Sequence, residues 1–239
     1  MTNELKRRNN KKKKRKQPFY VNKSRIRIIT IVGCTCVLVL SIIGFIIQNL
    51  PYLNKETSYY HPDPNYEDGR PYIDVQLLTP NEYSRPCIPT DKMTGIVIHY
   101  VGNPGSTAQG NRDYFENLKD TEKTYASSNF IVGLEGEIIQ CIPTNEIAYC
   151  SNERNINTVS IEVCHETEDG KFNDKTYASL VNLTGWLCMY LDVSPKDVIR
   201  HYDVTGKICP KYYVENEDAW DTFIEDVKIW VYSEKRRES

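Results

Sequence analysis

Ile28 to Ile47 runs for twenty residues without a charge, broken only by Thr30, Thr35, Ser41 and small residues, and no other stretch so narrows what the chain can become. As a helix rising ~1.5 Å per residue it matches a hydrocarbon core ~30 Å thick, so a transmembrane helix is expected here. Twelve of the thirty Lys and Arg residues precede Ile28, with only Glu4 opposing them. The run Lys11 to Lys16 is too charged to fold alone, and in isolation it would suit nucleic acid. Beside an apolar span it has a simpler use. It keeps the N-terminus cytoplasmic, draws in anionic lipid and sends everything after Ile47 outside. A cleavable signal peptide is the rival reading, but the span exceeds the usual apolar region of one and Gln48 to Pro51 lacks a small-residue cleavage site. The expectation is an uncleaved signal anchor in the cell membrane, single-pass, with no nucleic-acid partner.

The rest of the chain has a different character. Past the basic tail remain 18 basic and 31 acidic residues, a balance of −13 hidden inside a net charge of −2. Pro51, Pro62, Pro64 and Pro71 keep residues 48–72 irregular. Such a tether reaches at most ~80 to 90 Å and as a coil averages about 25 to 30 Å, so whatever the outer domain acts on lies close to the membrane. His61 reads as a solvated linker histidine. The division is therefore 1–27 basic cytoplasmic tail, 28–47 signal anchor, 48–72 extracellular linker and 73–239 folded domain.

Within that domain, periodicity predicts an edge strand at 73–78 and a buried strand at Gly95–Tyr100. A helix follows, capped by Ser106 or Thr107, with Ala108, Asn111, Tyr114, Phe115 and Leu118 on one face. Ser128–Val132 and Gly136–Ile142 read as a hairpin, and Asn157–Cys164 as another strand. The longest helix is expected at 174–192 and a final helix at about 216–232. Strands interleaved with helices make this an α/β domain of about 165 residues, a central mixed β-sheet flanked by helices and preceded by one transmembrane helix. A monomer is expected.

Chemistry concentrates in Arg200 to Pro210, which offers His201, Lys207 and Cys209 around the flexible Gly206. Imidazole and thiolate are the usual partners of Zn²⁺, and a catalytic site needs three protein ligands with one position open. His99 ends the run Gly95-Ile96-Val97-Ile98, where a buried strand would deliver it to the sheet edge. His99, His201 and Cys209 are the candidate ligand set. The spacing is not one of the short fixed zinc patterns, and a Cys before Pro also reads as an inert thiol or half a disulfide. In the strand 157–164, Val159, Ile161 and Val163 alternate with Ser160, Glu162 and Cys164. Glu162 therefore sits among apolar neighbours, where a carboxylate suits general-base work, and Lys207 suits an oxyanion; a surface glutamate and a solvated lysine are the plain alternatives. His165 and Glu166 read as exposed.

These pieces, in order, resemble the zinc-dependent N-acetylmuramoyl-L-alanine amidases of the amidase-2 family, relatives of phage endolysins and peptidoglycan-recognition proteins. The matching segments are Gly95–Tyr100, Ala126–Val132, Glu137–Gln140 with Ile142-Pro143, Asn157–Glu162 and Arg200-His201 through Lys207-Ile208-Cys209-Pro210, and the resemblance extends from about Ile73 to Val231, about two thirds of the chain. The resemblance implies Zn²⁺ on His99, His201 and Cys209, Glu162 and Lys207 as catalytic residues, and peptidoglycan as substrate, cut between N-acetylmuramic acid and L-alanine. A membrane-anchored hydrolase facing the cell wall follows from it. The alternative is a muropeptide-recognition module of the same fold that does not cut. Some members use a tyrosine near the position of Ser128 and Asn129; its absence removes that variant of the mechanism and leaves the glutamate-dependent one. Of the cysteines beyond the span, Cys164 and Cys188 read as small core residues, and Cys141 and Cys150 as a conceivable bridge.

Overall fold

The computed structural model describes residues 69–237. The basic tail, the anchor and nearly all of the linker lie outside the described residues. Among the described residues, no helix is long and apolar enough to cross a membrane.

Six strands form one mixed sheet: β1 (Asp74–Val75), β2 (Gly95–Ile98), β3 (Phe130–Val132), β4 (Ile138–Gln140), β5 (Thr158–Val163) and β6 (Val198–Arg200), in the order β1-β4-β3-β5-β2-β6. β3, β5, β2 and β6 run parallel, while β4 pairs antiparallel with β3 and carries β1 parallel to itself at the edge. Parallel central strands covered on both faces need apolar residues on both sides. β2 meets that demand with Gly-Ile-Val-Ile, buried throughout.

Alternation sorts the strands between two cores. Ile96, Ile98, Phe130, Val132, Val159, Ile161 and Val163 pack into the larger one, with helices α2 (Asp174–Tyr190) and α5 (Glu217–Arg237). Ile131, Ile139, Cys141 and Cys164 face the smaller one under helix α1 (Ala108–Thr121), which contributes Ala108, Phe115 and Leu118. The result is helix, sheet and helix in three layers. Thr107 caps α1 by accepting from the Gly110 N–H, one of the two caps expected, but Tyr114 faces solvent rather than the core. α2 begins where expected, with Asn173 accepting from the Thr176 N–H. The C-terminal helix continues to Arg237 and is the longer of the two, because basic residues in its last turn suit the helix dipole.

Between residues 191 and 216 the chain is more regular than its composition suggests. A 3-10 turn at Pro195–Asp197 leads into β6, then His201 opens the short helix α3 (His201–Thr205), and Lys211–Glu215 form a second short helix, α4. Gly206 closes α3 at φ 78°, a left-handed conformation that a side chain would resist. Arg200 fixes the junction. Its buried guanidinium meets Asp203, the Tyr213 carbonyl and Glu217.

His165 departs from expectation. It is buried, not exposed, stacked on Tyr100 with ring centroids 5.0 Å apart and with Nδ1 2.8 Å from the Thr167 carbonyl oxygen. It follows β5 directly, so the loop beyond folds over it. Glu166 is exposed, as read. Cys87, Cys141, Cys150, Cys164, Cys188 and Cys209 are all free thiols, so Cys141 and Cys150 do not bridge.

Candidate metal centre

In open α/β sheets, sites form beyond the carboxyl ends of the strands. β2, β5 and β6 end together, and each hands over a polar side chain there. His99 leaves β2 on the face opposite Ile96 and Ile98, its N–H bonded to the Ile161 carbonyl at 2.9 Å. His201 follows β6 as the first residue of α3. Cys209 returns after the Gly206 turn, tied by its carbonyl to the Tyr202 N–H at 3.0 Å. All three are buried, and their ligating atoms lie within 4.8 Å of one another. The imidazole rings of His99 and His201 stand 4.6 Å apart. The structure thus brings together the three candidate ligands, although His99 and Cys209 are separated by 110 positions in the chain.

The hydrogen bonds decide which nitrogens face inward. His99 Nε2 lies 3.0 Å from Ser151 Oγ, and its Nδ1 lies 3.8 Å from Cys209 Sγ. His201 Nε2 lies 3.1 Å from Asn152 Oδ1, which as an acceptor requires the proton on Nε2. Its Nδ1 is then a buried lone pair, and it has no partner. Zn–N bonds of ~2.0 Å and Zn–S bonds of ~2.3 Å at tetrahedral angles put nitrogen and sulfur about 3.5 Å apart, and His99 Nδ1 and Cys209 Sγ lie 3.8 Å apart. The residues fit a Zn²⁺ ion.

Electrostatics point the same way. Burial, then the His201 and Lys207 charges, holds His99 well below the ordinary imidazole range; burial and Lys207 lower His201 as well, against Glu153. Both rings are therefore neutral, the form that ligates. Burial and the Glu162 charge push the Cys209 thiol up to about 12, against the Tyr100 N–H and Lys207. A divalent cation reverses that preference, so loading the site expels the thiol proton.

Glu162 lies on β5 level with Ile131 of β3, on the same face as Ser160 and Cys164. Burial raises its carboxyl to about 7, opposed by a hydrogen bond from Cys150 and the Lys207 charge. Oε1 accepts from Cys150 Sγ at 3.6 Å, while Oε2 is buried without a partner. Lys207 is exposed at the rim, yet its charge reaches Glu162, His99, His201 and Cys209. Asn129 serves the scaffold. Its Oδ1 accepts from the Ser160 N–H and hydroxyl, and its Nδ2 reaches the Pro143 carbonyl, which ties β5 to the strand beside it.

Three neighbours escaped the sequence reading. Cys150, Ser151 and Asn152 are consecutive, and they touch Glu162, His99 and His201 in turn. Asn155 shapes this stretch by accepting from the Cys150 and Ser151 N–H groups at 3.2 and 2.6 Å. Small polar residues before a strand look like any loop, and the only local signal was their place just upstream of the Glu162 strand.

A three-layer α/β fold with two histidines and a cysteine gathered at the carboxyl ends of its central strands, and a carboxylate beside them, defines a class: α/β domains whose donor set fits a metal ion. The chain belongs to the amidase-2 family, described as N-acetylmuramoyl-L-alanine amidase, whose family model matches residues 89–212. It is 34% identical over 155 residues to the N-acetylmuramoyl-L-alanine amidase CwlL of Bacillus licheniformis, covering 60% of this chain and 43% of that protein. To the N-acetylmuramoyl-L-alanine amidase BlyA of Bacillus subtilis strain 168 it is 31% identical over 169 residues, covering 62% of this chain and 44% of that one. The chain thus matches less than half the length of these curated relatives. Among solved structures, the catalytic domain of XlyA aligns with a TM-score of 0.56 at 26% identity, covering 65% of this chain and 99% of that one. A mutant endolysin from Bacillus subtilis aligns with the same TM-score and identity, covering 65% and 98%.

Proposed function

We propose that this chain hydrolyses the amide between N-acetylmuramic acid and the L-alanine of the peptidoglycan stem peptide, from a position anchored in the cell membrane. The observation that carries the reading is the inward-facing, unpartnered Nδ1 of His201, which shares one buried spot with His99 and Cys209 while Glu162 keeps a free oxygen beside them. The amidase activity for which the Bacillus relatives are named supports it.

His99, His201 and Cys209 hold Zn²⁺, which when bound supplies Lewis acidity toward water and the scissile carbonyl. Glu162 is the general base and then the general acid. A carboxyl near 7 suits both duties, because it accepts a proton from water and returns it to the departing alanine nitrogen without a large penalty either way. Lys207 supplies positive charge to the oxygen that becomes anionic. Ser151 and Asn152 hold the imidazoles so that their Nδ1 atoms face inward.

The uncharged span at 28–47 and the basic run before it support an N-terminus in the cytoplasm and a domain facing the wall, with the linker limiting reach. No nucleic-acid partner is proposed, and the domain acts as a monomer.

Purified protein incubated with peptidoglycan is expected to release new amino-terminal alanine and no new reducing ends. Glu162→Gln is expected to keep its zinc and lose about 10² to 10⁴ in rate. New reducing ends, or a Glu162→Gln variant as fast as the parent, would sink the proposal; binding of muropeptides without release would favour a recognition module.

A further inference from the structure

A second set of donors borders the His99, His201 and Cys209 trio, and the hydrolysis leaves it half used. Cys150 Sγ stands 3.6 Å from Glu162 Oε1, and Glu162 Oε2 is buried without a partner. Ligating atoms of His99, Cys150 and Glu162 also lie within 4.8 Å of one another. Tetrahedral Zn²⁺ with bonds of ~2.3 Å to sulfur and ~2.0 to 2.2 Å to oxygen separates those two atoms by about 3.5 Å, close to the value found. A thiol hydrogen bond accounts for the distance to Oε1 but leaves Oε2 without a partner, whereas a cation drawn to the carboxylate is open to either oxygen. The backbone N–H groups of Cys150 and Ser151 are both bonded to Asn155 Oδ1, which fixes the main chain from which the thiol projects.

We propose that Cys150 and Glu162 form a second, weaker site for a soft divalent cation, adjoining the first and inhibitory when filled. The first site offers three nitrogen and sulfur donors and fills first, keeping His99. The second offers one thiolate and one carboxylate, with water completing the coordination, and fills only in excess. Binding there breaks the Cys150 S–H bond, passes that proton to solvent and forms a metal–sulfur bond; no electron is transferred. Its inhibitory consequence rests on the amidase reading, because an ion on Glu162 occupies the carboxylate that must take the proton from water. Free zinc would then act in two phases, raising activity with the first equivalent and lowering it with the second.

The full chain, stripped of metal and titrated with Zn²⁺ against a chromophoric chelator, tests this. Cys150→Ser and Glu162→Gln are each expected to bind one equivalent fewer than the parent while keeping the tightest one. Loss in both variants separates a paired site from a lone thiol. Cd²⁺ added to the protein carrying one zinc is expected to give a sulfur-to-cadmium charge-transfer absorption that Cys150→Ser reduces. Peptidoglycan turnover by the parent is expected to fall as the second equivalent binds, and turnover by Cys150→Ser, with an unchanged circular dichroism spectrum, is expected to resist. Equal stoichiometry in all three proteins overturns the proposal, as does a Cys150→Ser variant that excess zinc inhibits like the parent. Should no amino-terminal alanine appear at any zinc level, the amidase reading falls while the two-equivalent stoichiometry stands by itself.

Discussion

Each of the two imidazoles is gripped by its outer nitrogen, so the direction of its inner lone pair depends on a residue that never meets the reaction. Asn152 does this for His201 from a left-handed backbone, at φ 53°, that asparagine tolerates better than most residues. Asn152→Ala is therefore expected to weaken zinc binding about 10- to 100-fold, read by chelator competition, because the ring loses its fixed tautomer and orientation. The cluster itself was legible: His99 by its place at the end of an apolar strand, His201 and Cys209 by their shared loop, and Glu162 beside them by strand alternation. Asn152 was not, since a hydrogen bond between residues 49 positions apart leaves no mark on local pattern. His165 was misread for a similar reason. A histidine beside a glutamate looks solvated until Tyr100 is seen lying over it.

Helix positions show where periodicity stops being informative. Gly185 lies inside α2, where alanine would be the better helix former, yet a Cβ there would sit 2.4 Å from the Trp230 ring of α5. Gly185→Ala is expected to destabilise the fold by about 1 to 3 kcal/mol in denaturant titration, because overpacking outweighs propensity. α1 is clamped differently. Burial alone would raise the Glu116 carboxyl, but hydrogen bonds from Lys119 and from the Thr79 hydroxyl and N–H, with the Arg112 charge, bring it down to about 2. A carboxyl depressed in the folded state stabilises above its unfolded value of about 4.5 and loses that contribution as pH falls through about 2. Glu116→Gln is thus expected to cost about 2 kcal/mol at neutral pH, with the gap to the parent closing between pH 4.5 and 2. The strands and long helices were readable from their periods. β6 and the two short helices after it were not, because three- to five-residue elements carry too few repeats for a period and are set here by Arg200 and its partners.

Across the whole molecule, an acidic C-terminal body follows a strongly basic N-terminal run, with an uncharged span of twenty residues between them. The full chain is expected to pellet with membranes and to stay there through high salt and alkaline carbonate, whereas a fragment beginning at Gly69 is expected in the supernatant; release of the full chain by salt alone would reduce the anchor to an electrostatic contact. Inside the body, Cys150, Ser151 and Asn152 meet Glu162, His99 and His201 one after another, like teeth entering three separate notches. One residue inserted or removed in that stretch would throw all three out of step together, a fault that no single substitution reproduces. A change of length in that stretch is therefore expected to cost the site more than a change at any one of the three positions.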